Sequence, residues 1–292
     1  MVGVINRVTQ LSKTILEADV MSLVINTNVA SLNAQRSLAS SGAELKTAME
    51  RLSSGKQINS AADDAAGFAI AERMTAQIRG LNMATKNASD GLSMLAVIEN
   101  ATNDVTDMLH RMRELAVQAV NDTNGVQDRL YLDGEVQSLK AEIDRVAGQT
   151  EYNGELVLDG SLTGAKLQVG TAATQTITFD VEGVAAADLS IDAIDVQTSA
   201  DASSALAAID LAIEQVAGNR AEYGALQNRL EYTVSNLMNV AEYTTAARSR
   251  IEDADFAAES ARLAKAQVLQ QTGTAMLAQA NASQQLALSL FR

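Results

Sequence analysis

The sequence predicts a mainly α protein: a long antiparallel, coiled-coil-like helical rod carrying a small β-hairpin insertion. Three observations predict it. The 292 residues contain no proline and no tryptophan, so nothing forces a break in a long helix and the largest core-filling ring is missing. Hydrophobic residues make up 47% of the chain but aromatics only 3%. The apolar content is therefore Ala, Leu, Val and Ile, which suits helices lying side by side. Apolar residues also recur at alternating three- and four-residue steps over long distances.

Each element follows in order. Ile25, Leu32, Leu38, Leu45 and Leu52 stand at near-heptad spacing. Gly55 is placed to stop that helix, and Ser60 with Asp63 to cap the next. A stripe then runs from Ile70 through Leu81, Ala88, Leu95, Ile98, Val105, Leu109 and Met112 to Ala116. The polar run Asn121–Gly125 ends it, and Asn124 with Gln127 resembles a fresh helix start. Leu132, Val136, Leu139, Ile143 and Val146 form a shorter stripe closed by Gly148 and Asn153-Gly154.

Residues 151–205 change character. Asp159-Gly160, Thr163-Gly164 and Gly183 punctuate strand-like runs, and Thr176–Val181 alternates with period two. The segment is acid-rich with Lys166 as its one lysine, the mark of a solvated outer surface. The helical period returns at Leu206, Ile209, Ile213, Val216, Tyr223, Leu230, Val234, Leu237 and Ile251. Arg220, Gln227 and Arg248 interrupt this stripe, either as contacts to neighbouring copies or as register-setting positions inside the pair. Ser249 with Glu252 reads as a capping box. Beyond it, Phe256, Leu263, Leu269, Met276, Leu286 and Leu290 recur as the N-terminal leucines do. The two ends are expected to pair with each other, as are the long middle helices. Such a chain leaves apolar stripe uncovered, which calls for self-association.

The composition excludes several functions. With no cysteine there is no disulfide framework, thiolate metal site or cysteine nucleophile. A single histidine, His110, rules out a multi-histidine metal centre and reads as a helix-surface residue. The net charge of −14 opposes nucleic-acid binding. No cofactor and no enzymatic role is expected. The longest uncharged run, Ala266–Phe291, is studded with Gln and Asn, so it is read as a helix packing on protein and not as a membrane insertion. Residues 1–20 lack the apolar stretch of a cleaved signal peptide. Asp63-Asp64 sits at a helix start, where a cap is the simpler reading than a cation or acid–base site. Asn87, Asn100, Asn121 and Asn281 open Asn-x-Ser/Thr triplets, which are read as chance occurrences.

Several segments carry a resemblance. Leu23–Arg36 (LVINTNVASLNAQR), Leu52–Gly67 (LSSGKQINSAADDAAG), Met112–Gln118 (MRELAVQ), Ser249–Phe256 (SRIEDADF), Lys265–Gln271 (KAQVLQQ) and Leu277–Asn281 (LAQAN) resemble, in order, the signatures of bacterial flagellin. The resemblance implies a short member with only an inner-tube and an outer-tube layer. Residues 1–20 would be an extra segment, 21–62 and 252–292 the two halves of the inner tube, 63–150 and 206–251 the rod helices, and 151–205 the hairpin region. It implies a subunit exported through the flagellar type III channel without a cleaved signal peptide, forming the extracellular filament that drives motility. Its partners would be other copies of itself, an export chaperone, and cap and junction proteins. Polymerisation contacts would fall on Ile25, Leu32, Leu38, Leu45, Phe256, Leu263, Leu269, Met276, Leu286 and Leu290.

A hook–filament junction or accessory protein of the same superfamily is the alternative, but such proteins usually diverge at the Leu52–Gly67 and Met112–Gln118 signatures. The resemblance also implies a candidate partner in animals, Toll-like receptor 5, read through Arg111, Leu115 and Glu135. The departures are the segment 1–20, the absence of the family's proline near Ala282-Ser283, and Phe256 where Tyr is common.

Overall fold

A computed structural model describes residues 27–289, with side chains to Gln285. Its elements are α1 (Val29–Ser54), α2 (Ala65–Val120), α3 (Val126–Gln149), β1 (Glu151–Tyr152), β2 (Glu155–Leu156), β3 (Ala165–Gln168), β4 (Thr176–Phe179), α4 (Ser199–Glu252) and α5 (Phe256–Ser289). They form two compact units. The terminal unit is built from the described parts of residues 1–68 and 251–292, and the central unit from Ala69–Arg250. The mainly α class with a small β insertion is thus the observed one.

The ends of the helices obey capping chemistry, though not always at the expected residues. Asn28 caps α1 by accepting the Ser31 N–H at 2.9 Å, and Gly55 ends it in the left-handed region at φ 73°, where only glycine avoids a Cβ penalty. The cap of α2 is Asp64, whose Oδ1 accepts the Ala66 and Gly67 N–H groups at 3.0 Å. Ser60 and Asp63 instead close their own turn, Asp63 accepting the Ser60 N–H at 2.9 Å. Asn124 does not start α3. Its side chain donates back to the Gln118 carbonyl at 2.6 Å, while Asp128 accepts the Gly125 N–H at 3.0 Å. Ser249 lies inside α4 and so cannot cap. Asp255 caps α5, accepting the Ala257 and Ala258 N–H groups at 2.9 and 3.2 Å.

The central unit has the one large core among the described residues. The α2 stripe is buried from Leu81 through Leu95, Ile98, Val105, Leu109 and Met112 to Ala119. It packs with Val136 and Ile143 of α3 and with Ile209, Val216, Tyr223 and Leu230 of α4. Burial of apolar surface at this seam drives the pairing. Polar ties fix its register. Arg220 bonds Glu99, Arg113 bonds Asp210 at 2.6 Å, and Arg248 donates to Thr75 Oγ1 at 3.1 Å. Arg220 and Arg248 are therefore positions inside the α2–α4 pair.

The insertion packs into this core alongside α2 and α3. β1 and β2 are joined by Asn153 and Gly154, both at positive φ (54° and 84°), the conformation a two-residue hairpin turn needs. β3 and β4 pair antiparallel, Ala165 opposite Phe179 and Gln168 opposite Thr176. Ile177 and Phe179 face inward and Thr178 outward, as the period-two alternation requires. Two glycines of α2 let this hairpin lie close. A Cβ at Gly91 would stand 2.5 Å from Leu167 Cδ1, and one at Gly80 would stand 2.7 Å from Thr171 Cγ2. Between them Asn87 donates to the Gln168 carbonyl at 3.1 Å.

Candidate assembly surface

In the terminal unit α1 and α5 run antiparallel. Asn28 Nδ2 donates to the Ala280 carbonyl at 3.0 Å near one end. Arg51 pairs with Glu259 at 4.0 Å near the other. Below that, the chain segments flanking the pair exchange backbone hydrogen bonds, Gln57 N–H to the Glu252 carbonyl at 2.7 Å and Ala254 N–H to the Gly55 carbonyl at 3.0 Å. Lys56 forms an ion pair with Glu252 across this bridge.

The seam itself is built from small residues. Ser31, Ser41, Ala48 and Ala266 are buried, and Leu38 sits over Gly273, where an added Cβ would be 3.3 Å from Leu38 Cδ1. Small residues permit close backbone approach but bury little apolar surface each. The large apolar side chains lie elsewhere. Of the residues expected at assembly contacts, Leu32, Phe256, Leu269 and Met276 are exposed, Phe256 by 70% and Met276 by 63%. Leu38, Leu45 and Leu263 are half-buried. Ile25 and Leu290, and the side chain of Leu286, lie outside the described residues.

Val29, Met49 and Val268 are also exposed on these helices, and the near-heptad reading missed them. For Val268 the signal is the absence of any charge from Ala266 to Phe291. A helix with no charged face has more than one face to cover.

The three residues of the receptor reading separate. Arg111 Nε donates to Glu135 Oε1 at 2.9 Å, and Arg111 Nη1 donates to Glu114 Oε2 at 2.9 Å. The hydrogen bonds to Glu135 and then Glu114 push the Arg111 pKa above its already high ordinary value. Leu115, by contrast, is 1% exposed and belongs to the core. Met112, Leu115, Ala116 and Ala119 are all buried, so two faces of α2 are covered here. The i, i+4 spacing does not bring Leu115 to the surface beside Arg111.

Charge divides unevenly between the units. Residues 1–68 and 251–292 carry 9 Lys and Arg against 10 Asp and Glu, whereas residues 69–250 carry 13 against 26. Almost all of the net −14 thus sits on the central unit. The terminal unit is nearly neutral, so its surfaces approach one another without long-range repulsion. Among the described residues no helix is long and apolar enough to cross a membrane.

Comparison with known proteins bears on the family of the whole chain. The family model of the bacterial flagellin N-terminal helical region matches residues 25–163, and that of the C-terminal helical region matches residues 206–291. Flagellin of Halalkalibacterium halodurans is 43% identical over 92% of this chain and 100% of its own length. The flagellar filament 33 kDa core protein of Treponema phagedenis is 40% identical over 92% of this chain and 100% of its own. The crystal structure of Bacillus cereus flagellin, 31% identical, covers 52% of this chain and 88% of its own with a TM-score of 0.48. With both terminal regions matched and full-length relatives spanned end to end, the chain belongs to the bacterial flagellin family.

Proposed function

We propose that this structural subunit of the flagellar filament assembles through the exposed apolar faces of α1 and α5, each receiving the same faces of neighbouring copies. The observation that carries the reading is the mismatch within the terminal unit. Its small residues pair with each other inside one chain, while Leu32, Phe256, Leu269 and Met276 are left to solvent. Monomeric proteins avoid exposing such side chains together, and a near-neutral unit is the part of the molecule best suited to close packing. By family resemblance the subunit is passed by an export chaperone through the flagellar type III channel and added beneath a cap, as extracellular filament. Junction proteins then join it to the rest of the organelle.

The test is seeded polymerisation viewed by negative-stain electron microscopy. The full chain gives long filaments, and a chain ending at Asp253 gives none. Leu269→Asp and Met276→Asp leave the subunit folded, because both side chains are exposed, yet block elongation, because an unpaired carboxylate would be enclosed at the contact. Normal filaments from both variants would overturn the placement.

A second reading concerns Toll-like receptor 5. The surface pairing of Arg111 with Glu135 favours these two as contacts, with Leu115 supporting α2 from beneath. An NF-κB reporter assay with depolymerised subunits tests it: Arg111→Ala lowers the response, and an unchanged response removes the assignment.

A further inference from the structure

Charge is also distributed unevenly within the central unit. Residues 69–90 of α2 and 227–250 of α4 together carry 6 Lys and Arg against 4 Asp and Glu, whereas residues 91–226 carry 7 against 22. On the cationic half, α4 has a second stripe at three- and four-residue steps, on the side turned away from its buried one. Its members Arg229, Tyr232, Asn236, Asn239, Tyr243 and Arg250 are all exposed, Tyr232 by 79% and Tyr243 by 74%. The stripe holds no carboxylate, because Glu231 and Glu242 each stand one residue before a tyrosine, about 100° round the helix. Among the described residues neither arginine forms an ion pair, and Arg250 donates to the Ala246 carbonyl of its own helix at 3.3 Å.

The acidic half presents a different face. Residues 167–219 hold 8 carboxylates and no lysine or arginine. Part of this segment lies along α3, where Asp144 accepts the Ala186 N–H at 2.8 Å and Lys140 donates to the backbone carbonyl of Asp192 at 2.8 Å. Asp188 and Asp192 are exposed, and among the described residues neither forms an ion pair. Ties between the helices hold the two faces at different levels. Arg220–Glu99 and Arg248–Thr75 set the stripe beside the first half of α2, and Arg111–Glu135 sets α3 beside the second half. The centres of the two faces are roughly 35 Å apart along the helix axis, so they do not meet within one chain. Two copies side by side in register would oppose acid to acid. A shift of one copy along the other brings the arginines of the first to the aspartates of the second.

We infer that the Arg229–Arg250 face of α4 is a contact surface for a second copy of this chain, received by the acidic segment around Asp188 and Asp192 of that neighbour. The tyrosines supply rigid area with a polar tip, a residue type favoured at contact centres. The arginines meet the aspartates at the edge, where charge fixes register and rejects the in-register alignment. Because the two faces differ, each copy uses its stripe with one neighbour and its acidic segment with another, and the contact repeats without closing. The inference goes beyond the α1–α5 contact, since every residue in it belongs to the central unit.

Tyrosine nitration with tetranitromethane, mapped by peptide mass, tests the surface on seeded filaments of the full chain beside the free subunit. Tyr232 and Tyr243 react in the subunit, and in the filament their nitration slows about tenfold, because a packed contact core excludes the reagent. Cross-linking then identifies the occupant. Arg229→Lys places an amine in the stripe, and carbodiimide treatment of filaments grown from mixed light and isotope-labelled subunits joins it to Asp188 or Asp192 in mixed-isotope peptides. Charge reversal tests the pairing. Arg229→Glu with Arg250→Glu slows self-seeded elongation about tenfold, and adding Asp188→Arg with Asp192→Arg restores it. All of these side chains are exposed, so the fold is retained, which circular dichroism verifies.

Filaments in which Tyr232 and Tyr243 nitrate as fast as in the subunit overturn the proposal. So do cross-links that land away from the acidic segment, and a charge reversal that leaves elongation unchanged or is not rescued. Leu269→Asp and Met276→Asp read the α1–α5 contact by themselves, so the two proposals fail separately.

Discussion

Arg220 on α4 donates from both Nε and Nη2 to one carboxylate oxygen of Glu99 on α2, at 3.1 and 2.8 Å. Roughly two-thirds of each side chain is covered. The pair stands within a seam otherwise made of Leu, Ile, Val and Ala. Such a seam tolerates sliding, because a shifted stripe still buries apolar surface. One ion pair at a defined level penalises every register but its own.

Arg220→Ala and Glu99→Ala are each expected to cost the central unit about 1 kcal/mol, since the pair is only partly shielded from water. The double variant should cost clearly less than the two losses added. Thermal unfolding of the four proteins checks it. Strict additivity would show that the two groups do not act as a pair.

Gly91 marks where the β3–β4 hairpin presses on α2. Replacing it by Ala gains about 1 kcal/mol of helix propensity but drives a methyl into Leu167, whose Cδ1 would lie at 2.5 Å. Overpacking of this kind costs about 1–3 kcal/mol, so Gly91→Ala is expected to destabilise slightly. The sharper readout is its combination with Leu167→Ala. Truncating Leu167 should cost less in the Gly91→Ala background than in the native chain, and an equal cost would mean that the two atoms do not compete.

How much of this was legible beforehand follows from the size of each signal. The α2 stripe from Leu81 to Ala116 and its partner on α4 were readable because many residues repeat one period and burial follows the period. The caps were not. Ser60, Asp63, Asp64 and Asn121 to Asp128 crowd several cap-competent side chains together, and the choice among them turns on about 1 kcal/mol. Gly80 and Gly91 fit the stripe as small residues, so their role as a hairpin seat required the fold. Leu115 was misjudged because a four-residue spacing says which residues share a face but not how many faces are covered. In α1 and α5 the period draws the eye to the leucines, whereas the residues buried between the two helices include the small Ser31, Ser41, Ala48 and Ala266.

Tyr223 offers a titration test. Its side chain is 3% exposed and its hydroxyl makes no hydrogen bond of ordinary geometry. Burial, reinforced by the nearby carboxylates Glu182 and Glu222, pushes its pKa from 10.0 to about 12. Because the folded pKa is the higher one, the stabilisation is complete below pH 10 and is lost as pH rises through the window from 10 to about 12. Tyr223→Phe should remove that alkaline loss, together with the last phase of phenolate absorbance. At neutral pH it should be neutral or stabilising by up to about 1 kcal/mol, since it deletes an unpaired buried hydroxyl. An unchanged alkaline profile in the variant would assign the loss to another group.

The terminal unit differs in kind from the central one, and hydrogen exchange should expose the difference. The α1–α5 seam rests on Ser, Ala and Gly, while the central core buries Leu95, Ile98, Leu109, Ile143, Ile209 and Leu230 completely. Each methylene missing from a seam forfeits about 0.8 kcal/mol of burial, so α1 and α5 open locally at far lower cost than α2. In the free subunit their amides are expected to exchange well before those of Leu95 to Leu115. In the filament the large side chains of Leu32, Phe256, Leu269 and Met276 gain partners, and the same amides should become protected. The order of events follows: a pair held loosely by small residues stays adaptable until neighbours cover its large ones, so folding of the ends is completed by assembly. Terminal helices that exchange as slowly as the central core before polymerisation would contradict this coupling.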